Sequence, residues 1–126
     1  MTLEERITRL EDIESIRYLQ AKYQRCLDSR DFDSLYECFD VDAIATYDNG
    51  KMSYKGKDNI IDFLLRVMKL SRPSSHLIHG GEIDIESTTS AKAKWILEDK
   101  LIIQEAFIKI YGSAIYNIEY IKINNK

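Results

Sequence analysis

Apolar residues recur every three or four positions through Leu3, Ile7, Leu10, Ile13, Ile16, Leu19, Tyr23 and Cys26. That period puts one side chain per turn on a single helical face and predicts a helix over residues 2 to 29, as one rod or as two in line. Thr2 and Glu5 have capping-box spacing, hydroxyl and carboxylate each accepting from the other's backbone amide. So long a helix in a small domain leaves its first two turns either packed on another subunit or standing in solvent. A polar corner, Ser29-Arg30-Asp31, then opens a second short helix, with Asp31 as its cap and Phe32, Leu35, Cys38 and Phe39 facing inward.

The period then changes. Ala43 to Asp48 and Lys51 to Gly56 are expected strands, joined by Asn49-Gly50, a dipeptide that tolerates the positive φ angles of a type I′ hairpin turn. A third helix is expected from Lys57 to Leu70, capped near Asp58, with Ile60, Ile61, Leu64 and either Val67 or Met68 inside. Arg72-Pro73-Ser74-Ser75 ends it. The remainder alternates with period two: Leu77 to Glu86, a Ser87-Thr88-Thr89-Ser90 turn, Ala91 to Ile103, and Phe107 to Ile123 with a bulge or bend at Gly112. Three helices followed by long antiparallel strands make an α+β fold, with the helices covering one face of a strongly curved sheet.

Alternation also sorts the polar residues. Ala91, Ala93, Trp95, Leu97, Asp99 and Leu101 share a face, while Lys92, Lys94, Glu98 and Lys100 face water. Asp99 therefore either lines an interior cavity, where a carboxylate needs a partner, or is twisted out at the sheet rim. Tyr116 and Tyr120 share a face with Ala114 and Ile118 on the last strand. Counting back from Ile85 and Ile83 puts His79 inside and His76 outside, but a bulge at Gly80-Gly81 reverses that parity. Asp28, in the last turn of the first helix, meets the partial negative charge of the helix end, which costs an anion about 0.3–1 kcal/mol. It needs a cationic or hydrogen-bonding partner, or full solvation.

Composition changes the picture little. The chain has 126 residues, 44% hydrophobic and 31% charged, ordinary values for one globular domain spanning residues 1–126. A net charge of −3 and a pI near 5.4, with no basic stripe, argue against nucleic acid and anionic membranes as partners. The charged N-terminus and the absence of a long apolar run point to a cytoplasmic protein, in which Cys26 and Cys38 are buried free thiols rather than a disulfide or metal site. No metal-ligand spacing, phosphate loop or nucleophile elbow occurs, so neither metal nor cofactor is expected.

The order of elements, with the segments Lys22-Tyr-Gln-Arg-Cys-Leu-Asp28, Tyr47-Asp-Asn-Gly-Lys51 and Trp95-Ile-Leu-Glu-Asp-Lys-Leu101, resembles the SnoaL-like branch of the nuclear-transport-factor-2-like superfamily, nearest to its bacterial bile acid 7α-dehydratases. The resemblance implies a cone-shaped α+β barrel, a curved sheet around a pocket that the helices close. It implies a catalytic set of Tyr23, Asp28, His76 and Asp99, with His76 as acid/base, and so favours the bulged parity. Trp95, Tyr116 and Leu27 complete the expected pocket. The implied activity is a cofactor-independent hydro-lyase acting on a hydrophobic cyclic small molecule, a steroid or bile acid derivative. The alternative is a non-catalytic, ligand-binding or degenerate member. The family continues past the equivalent of Asn124-Asn125 into a further strand bearing a pocket arginine, which this chain is expected to lack, leaving a sheet edge for a partner. With the long first helix, that edge leads to an expected homodimer or homotrimer.

Overall fold

The computed structural model describes residues 1–47, 50–70, 74–103 and 108–122. The period-3.6 segment is one unbroken helix, α1 (Leu3–Ser29), opened by the Thr2–Glu5 capping box. It ends on Arg30 in the left-handed region (φ 59°), whose amide reaches back to the carbonyls of Cys26 and Leu27. Helix α2 (Phe32–Glu37) starts at Asp31, whose side chain accepts from the Ser34 amide. Strands β1 (Ile44–Tyr47) and β2 (Met52–Lys55) pair antiparallel; Gly50 has φ 84°, while Asp48 and Asn49 lie outside the described residues. Helix α3 (Lys57–Leu70) buries Ile60, Ile61, Leu64 and Met68, leaving Val67 at the surface. Asp58 stands in its first turn, where Oδ1 accepts from the Tyr36 hydroxyl at 2.8 Å.

Strands β3 (Ser74–Ile85), β4 (Ser90–Ile103) and β5 (Ile108–Ile121) form an antiparallel sheet in that order. The expected positions Arg72, Pro73, Phe107 and Ile123 lie outside the described residues, as do the side chains of Leu101 and Ala114. The α+β class and the N-terminal helices are as the sequence predicts. The expected cone is not closed: among the described residues the β1–β2 hairpin and the three-stranded sheet are separate. Gly112 makes no bulge either. The β4–β5 register runs unbroken from Ile103 opposite Ile108 to Ser90 opposite Ile121, with Gly112 facing Asp99.

The bulge falls instead on β3. Gly80 faces Trp95 and Glu82 faces Lys94, so Gly81 is the extra residue. Both glycines have positive φ, 82° and 84°, which L side chains disfavour. Gly81 is also required by space, since a Cβ there would lie 2.6 Å from the Trp95 ring. The extra residue turns His76 and Ile78 inward and leaves His79 half exposed on the outer face, 3.4 Å from Glu98.

The apolar residues gather in two clusters. One joins Cys26 and Leu27 of α1 to Leu35, Ile60, Ile61, Leu64 and Met68, with Phe32, Phe39 and Tyr54 against it. The other joins Ile16 of α1 to Ala91, Ala93, Trp95 and Tyr120 on the inner face of the sheet. Helix α1 is the only described element buried in both. Its first turns belong to neither: Leu3, Ile7 and Leu10 are 69%, 47% and 65% exposed. Cys38, expected to be buried, is only partly so, because it caps the C-terminus of α2 rather than lying on a packed face.

Gly81→Ala is expected to destabilise the fold by about 2–4 kcal/mol, combining left-handed backbone strain with overpacking against Trp95. Gly50→Ala, which meets no atom within 4 Å, should cost only the strain. Denaturant unfolding of the two variants checks this, and equal losses would show that Trp95 moves aside freely.

Candidate active site

The awkward carboxylate at the end of α1 is answered from β3. The Oδ1 of Asp28 lies 2.6 Å from Nδ1 of His76 and accepts from the Ser74 hydroxyl at 2.9 Å, while its Oδ2 accepts from the His76 backbone amide at 2.8 Å. Arg30 braces the arrangement. Its Nη1 donates to the Asp28 backbone carbonyl at 2.7 Å and to Ser74 Oγ at 2.8 Å. A residue placed just past the helix end thus brings the cation that the last turn lacks.

Because the carboxylate accepts from Nδ1, that nitrogen carries the ring proton and Nε2 is left as the base. The His76 side chain is 9% exposed and that of Asp28 25%, so the pair is sheltered but reachable. Asp99 is the cross-strand partner of His76 in the β3–β4 register, on the same inner face and partly exposed. It is not swept out at the rim.

Three phenols are sheltered by burial. Tyr23, one and a half turns before Asp28, packs edge-on against Phe39 at 5.7 Å. Burial holds its hydroxyl well above the ordinary phenol range, helped by Tyr47, Tyr116 and Cys38. Tyr116, opposite Trp95, is raised to about 12 by burial first, then by Tyr47, Asp99 and Asp28. Tyr47 is raised by burial and by Tyr54. Tyr116 thus stands within electrostatic reach of Tyr47, Asp28 and Asp99, and Tyr23 within reach of Tyr47 and Tyr116. At neutral pH every phenol there is a hydrogen-bond donor.

Of the other expected lining residues, Trp95 is buried on the inner sheet face and donates from Nε1 to the Tyr120 hydroxyl at 3.0 Å. Leu27 is packed in the helical core at 3% exposure. The structure adds three residues that pattern reasoning passed over. Tyr47 was visible in principle, since it shares the inward parity of Ala45 on β1. Ser74 and Arg30 were not, because their roles arise only when the end of α1 meets the start of β3. Among the described residues no group of three or more His, Cys, Asp or Glu is placed to hold a metal.

Residues 8–126 match the model of the SnoaL-like domain. The chain belongs to this family. Solved structures agree on the fold. A protein of Novosphingobium aromaticivorans named for scytalone dehydratase superposes with a TM-score of 0.84 at 21% identity, covering 94% of this chain and 79% of that one. The type 3 hexachlorocyclohexane dehydrochlorinase LinA of Novosphingobium barchaimii gives 0.85 at 19% identity, covering 95% and 82%. A type 2 LinA gives 0.86 at 20%, covering 94% and 80%. Among the described residues no helix of this SnoaL-like domain is long and apolar enough to cross a membrane.

Two measurements check the site. Tyr116 and Tyr120 are both raised to about 12 against 10 in the unfolded chain, so their contribution to stability is complete below pH 10 and is lost as pH rises through 12. Alkaline unfolding should therefore steepen above pH 10, and Tyr116→Phe should flatten it. Absorbance titration should show these phenols ionising above the ordinary phenol range. Ser74→Ala, removing one donor to Asp28, is expected to cost about 1–2 kcal/mol in thermal unfolding, more than a surface serine.

Proposed function

We propose that this SnoaL-like domain is a cofactor-independent hydro-lyase, eliminating water from a hydrophobic cyclic substrate that carries a hydroxyl β to a carbonyl. The 2.6 Å contact between His76 Nδ1 and Asp28 Oδ1 carries the reading. A carboxylate that fixes the imidazole tautomer and steadies its cation suits Nε2 to the role of base. Beside it stand protonated phenols, suited to neutral hydrogen bonding rather than to nucleophilic attack.

In the proposed reaction His76 Nε2 takes the proton from the carbon next to the carbonyl. The C–H electron pair moves into an enolate whose oxygen draws on a nearby donor. The electrons then return to form the carbon–carbon double bond, the C–O bond breaks, and the leaving hydroxide takes the proton back from His76 as water. Tyr23, held protonated by its burial, donates to a substrate oxygen, while Asp99 provides a second polar contact and shares the proton traffic. The apolar inner face, with Trp95, Leu97 and Ile78, suits a fused-ring skeleton, which supports a steroid or bile acid derivative as substrate. The family relatives named for a dehydratase and a dehydrochlorinase are consistent with it, since both names describe loss of a proton and a leaving group from neighbouring carbons.

Incubation with steroid hydroxy-ketones and bile acid thioesters, read by mass spectrometry, should show loss of one water. His76→Ala should lower kcat/KM by about 10²–10⁴-fold, as for removal of a general acid/base, and Tyr23→Phe by less. Turnover undiminished in His76→Ala would remove its role. A ligand bound with no change of mass would identify a binding protein instead.

A further inference from the structure

A second polar feature lies on the same helix. Gln20 and Gln24 are buried, 3% and 6% exposed, in the i, i+4 row that runs Ile16, Gln20, Gln24, Asp28. They belong to a hydrogen-bonded relay whose direction can be worked out. The Trp95 indole N–H is a donor only, so at 3.0 Å the Tyr120 oxygen must accept from it. The Tyr120 proton is then given to Gln20 Oε1 at 2.5 Å. With its oxygen occupied, Gln20 presents Nε2, which donates to Gln24 Oε1 at 3.0 Å. The relay runs in this direction because 2.5 Å is the length of an O–H···O bond and shorter than an N–H···O bond, so the oxygen of Gln20 and not its NH₂ faces Tyr120. It ends in the amide NH₂ of Gln24, whose Nε2 has no hydrogen-bond partner among the described residues.

A buried amide donor without an acceptor is costly, and chains of hydrogen bonds polarise their last member. The amide cannot relieve this by flipping, since its oxygen is already held. We infer that the Gln24 amide is a ligand-binding donor that takes a neutral carbonyl oxygen. Gln24 precedes Asp28 by one helical turn, about 5–6 Å between side-chain bases, and follows Tyr23 directly. The amide is uncharged and the carboxylate of Asp28 lies one turn on, so an anionic oxygen would be repelled where a ketone or thioester carbonyl is not. Resting on the proposed elimination, the assignment names the group that activates the substrate: charge that develops on the carbonyl oxygen as His76 takes the proton is met by the Gln24 N–H.

The test uses three steroids with one ring skeleton: a ring ketone, its deoxo analogue and a carboxylate. None carries the hydroxyl that elimination would remove, so binding is measured apart from turnover. Quenching of Trp95, the only tryptophan, reports affinity. The wild-type chain should bind the ketone more tightly than either analogue. Gln24→Met should weaken ketone binding about tenfold and leave the deoxo steroid unchanged. If Gln24→Met folds poorly, Gln20→Met/Gln24→Met, which leaves neither amide unpaired, should show the same ketone-specific loss. Equal losses for ketone and deoxo steroid, a preference for the carboxylate, or no ketone binding to the wild-type chain would each overturn the assignment. Ketone binding that depends on Gln24 without elimination of a hydroxy-ketone would uphold it while removing the dehydratase reading.

Discussion

The carboxylate of Asp28 joins the end of one helix to the start of a strand nearly fifty residues later, and the site depends on that joint. An anion in a last helical turn is disfavoured by about 0.3–1 kcal/mol, whereas a hydrogen bond to a charged group contributes about 1.5–3 kcal/mol. Asp28 accepts from the Ser74 hydroxyl, the His76 amide and the His76 ring, so the interactions outweigh the placement. The backbone amide matters as much as the imidazole: it ties the carboxylate to the main chain of β3, so ring and carboxylate cannot drift apart without breaking a strand-to-helix bond. Arg30 completes the joint at the cost of a left-handed backbone, unusual for a residue with a side chain.

The location of the site follows from packing. Helix α1 contributes Ile16 to the sheet core and Cys26 and Leu27 to the helical core. Between and beside those two clusters its inward positions include the polar or phenolic Gln20, Tyr23, Gln24 and Asp28. A seam between separate cores is where polar side chains can be sheltered without displacing apolar packing, and where a ligand can reach them. Tyr23 and Tyr116 mark its sides, the first packed against the helical cluster and the second against the sheet cluster.

Much of this was legible in the residues. Strict alternation along β4 turned Asp99 inward without any family comparison, and the helical period placed Asp28 where it would need a partner. The histidine parity was not decidable by counting, because one extra residue on β3 inverts it. What settles it is the Gly80-Gly81 pair, since a bulge with two positive φ angles under a tryptophan ring admits glycine readily and other residues poorly. Three things stayed hidden for physical reasons. Arg30 and Ser74 act through contacts between elements distant in sequence. Gln20 and Gln24 fall in an apolar row that is traced through hydrophobic side chains, so buried amides escape a search for hydrophobic periodicity. The apolar stripe of Leu3, Ile7 and Leu10 continues the period of the buried turns yet is exposed, because periodicity reports which residues share a face and not whether anything covers it.

One rigid helix carries both the carboxylate that orients His76 and the amide row that ends at Gln24. Their spacing is therefore set by helix geometry, not by flexible loops. The two devices also differ in kind. In the proposed elimination the Asp28–His76 pair is the one to move a proton, with charge changing on the imidazole. The Trp95–Tyr120–Gln20–Gln24 relay holds every proton in place, its direction set by the short O–H···O bond from Tyr120 to Gln20. For the proposed elimination, a proton-moving pair beside a proton-holding relay divides the chemistry sensibly: one side would exchange the proton, and the other would supply an N–H whose orientation does not change as negative charge arrives on the oxygen it faces.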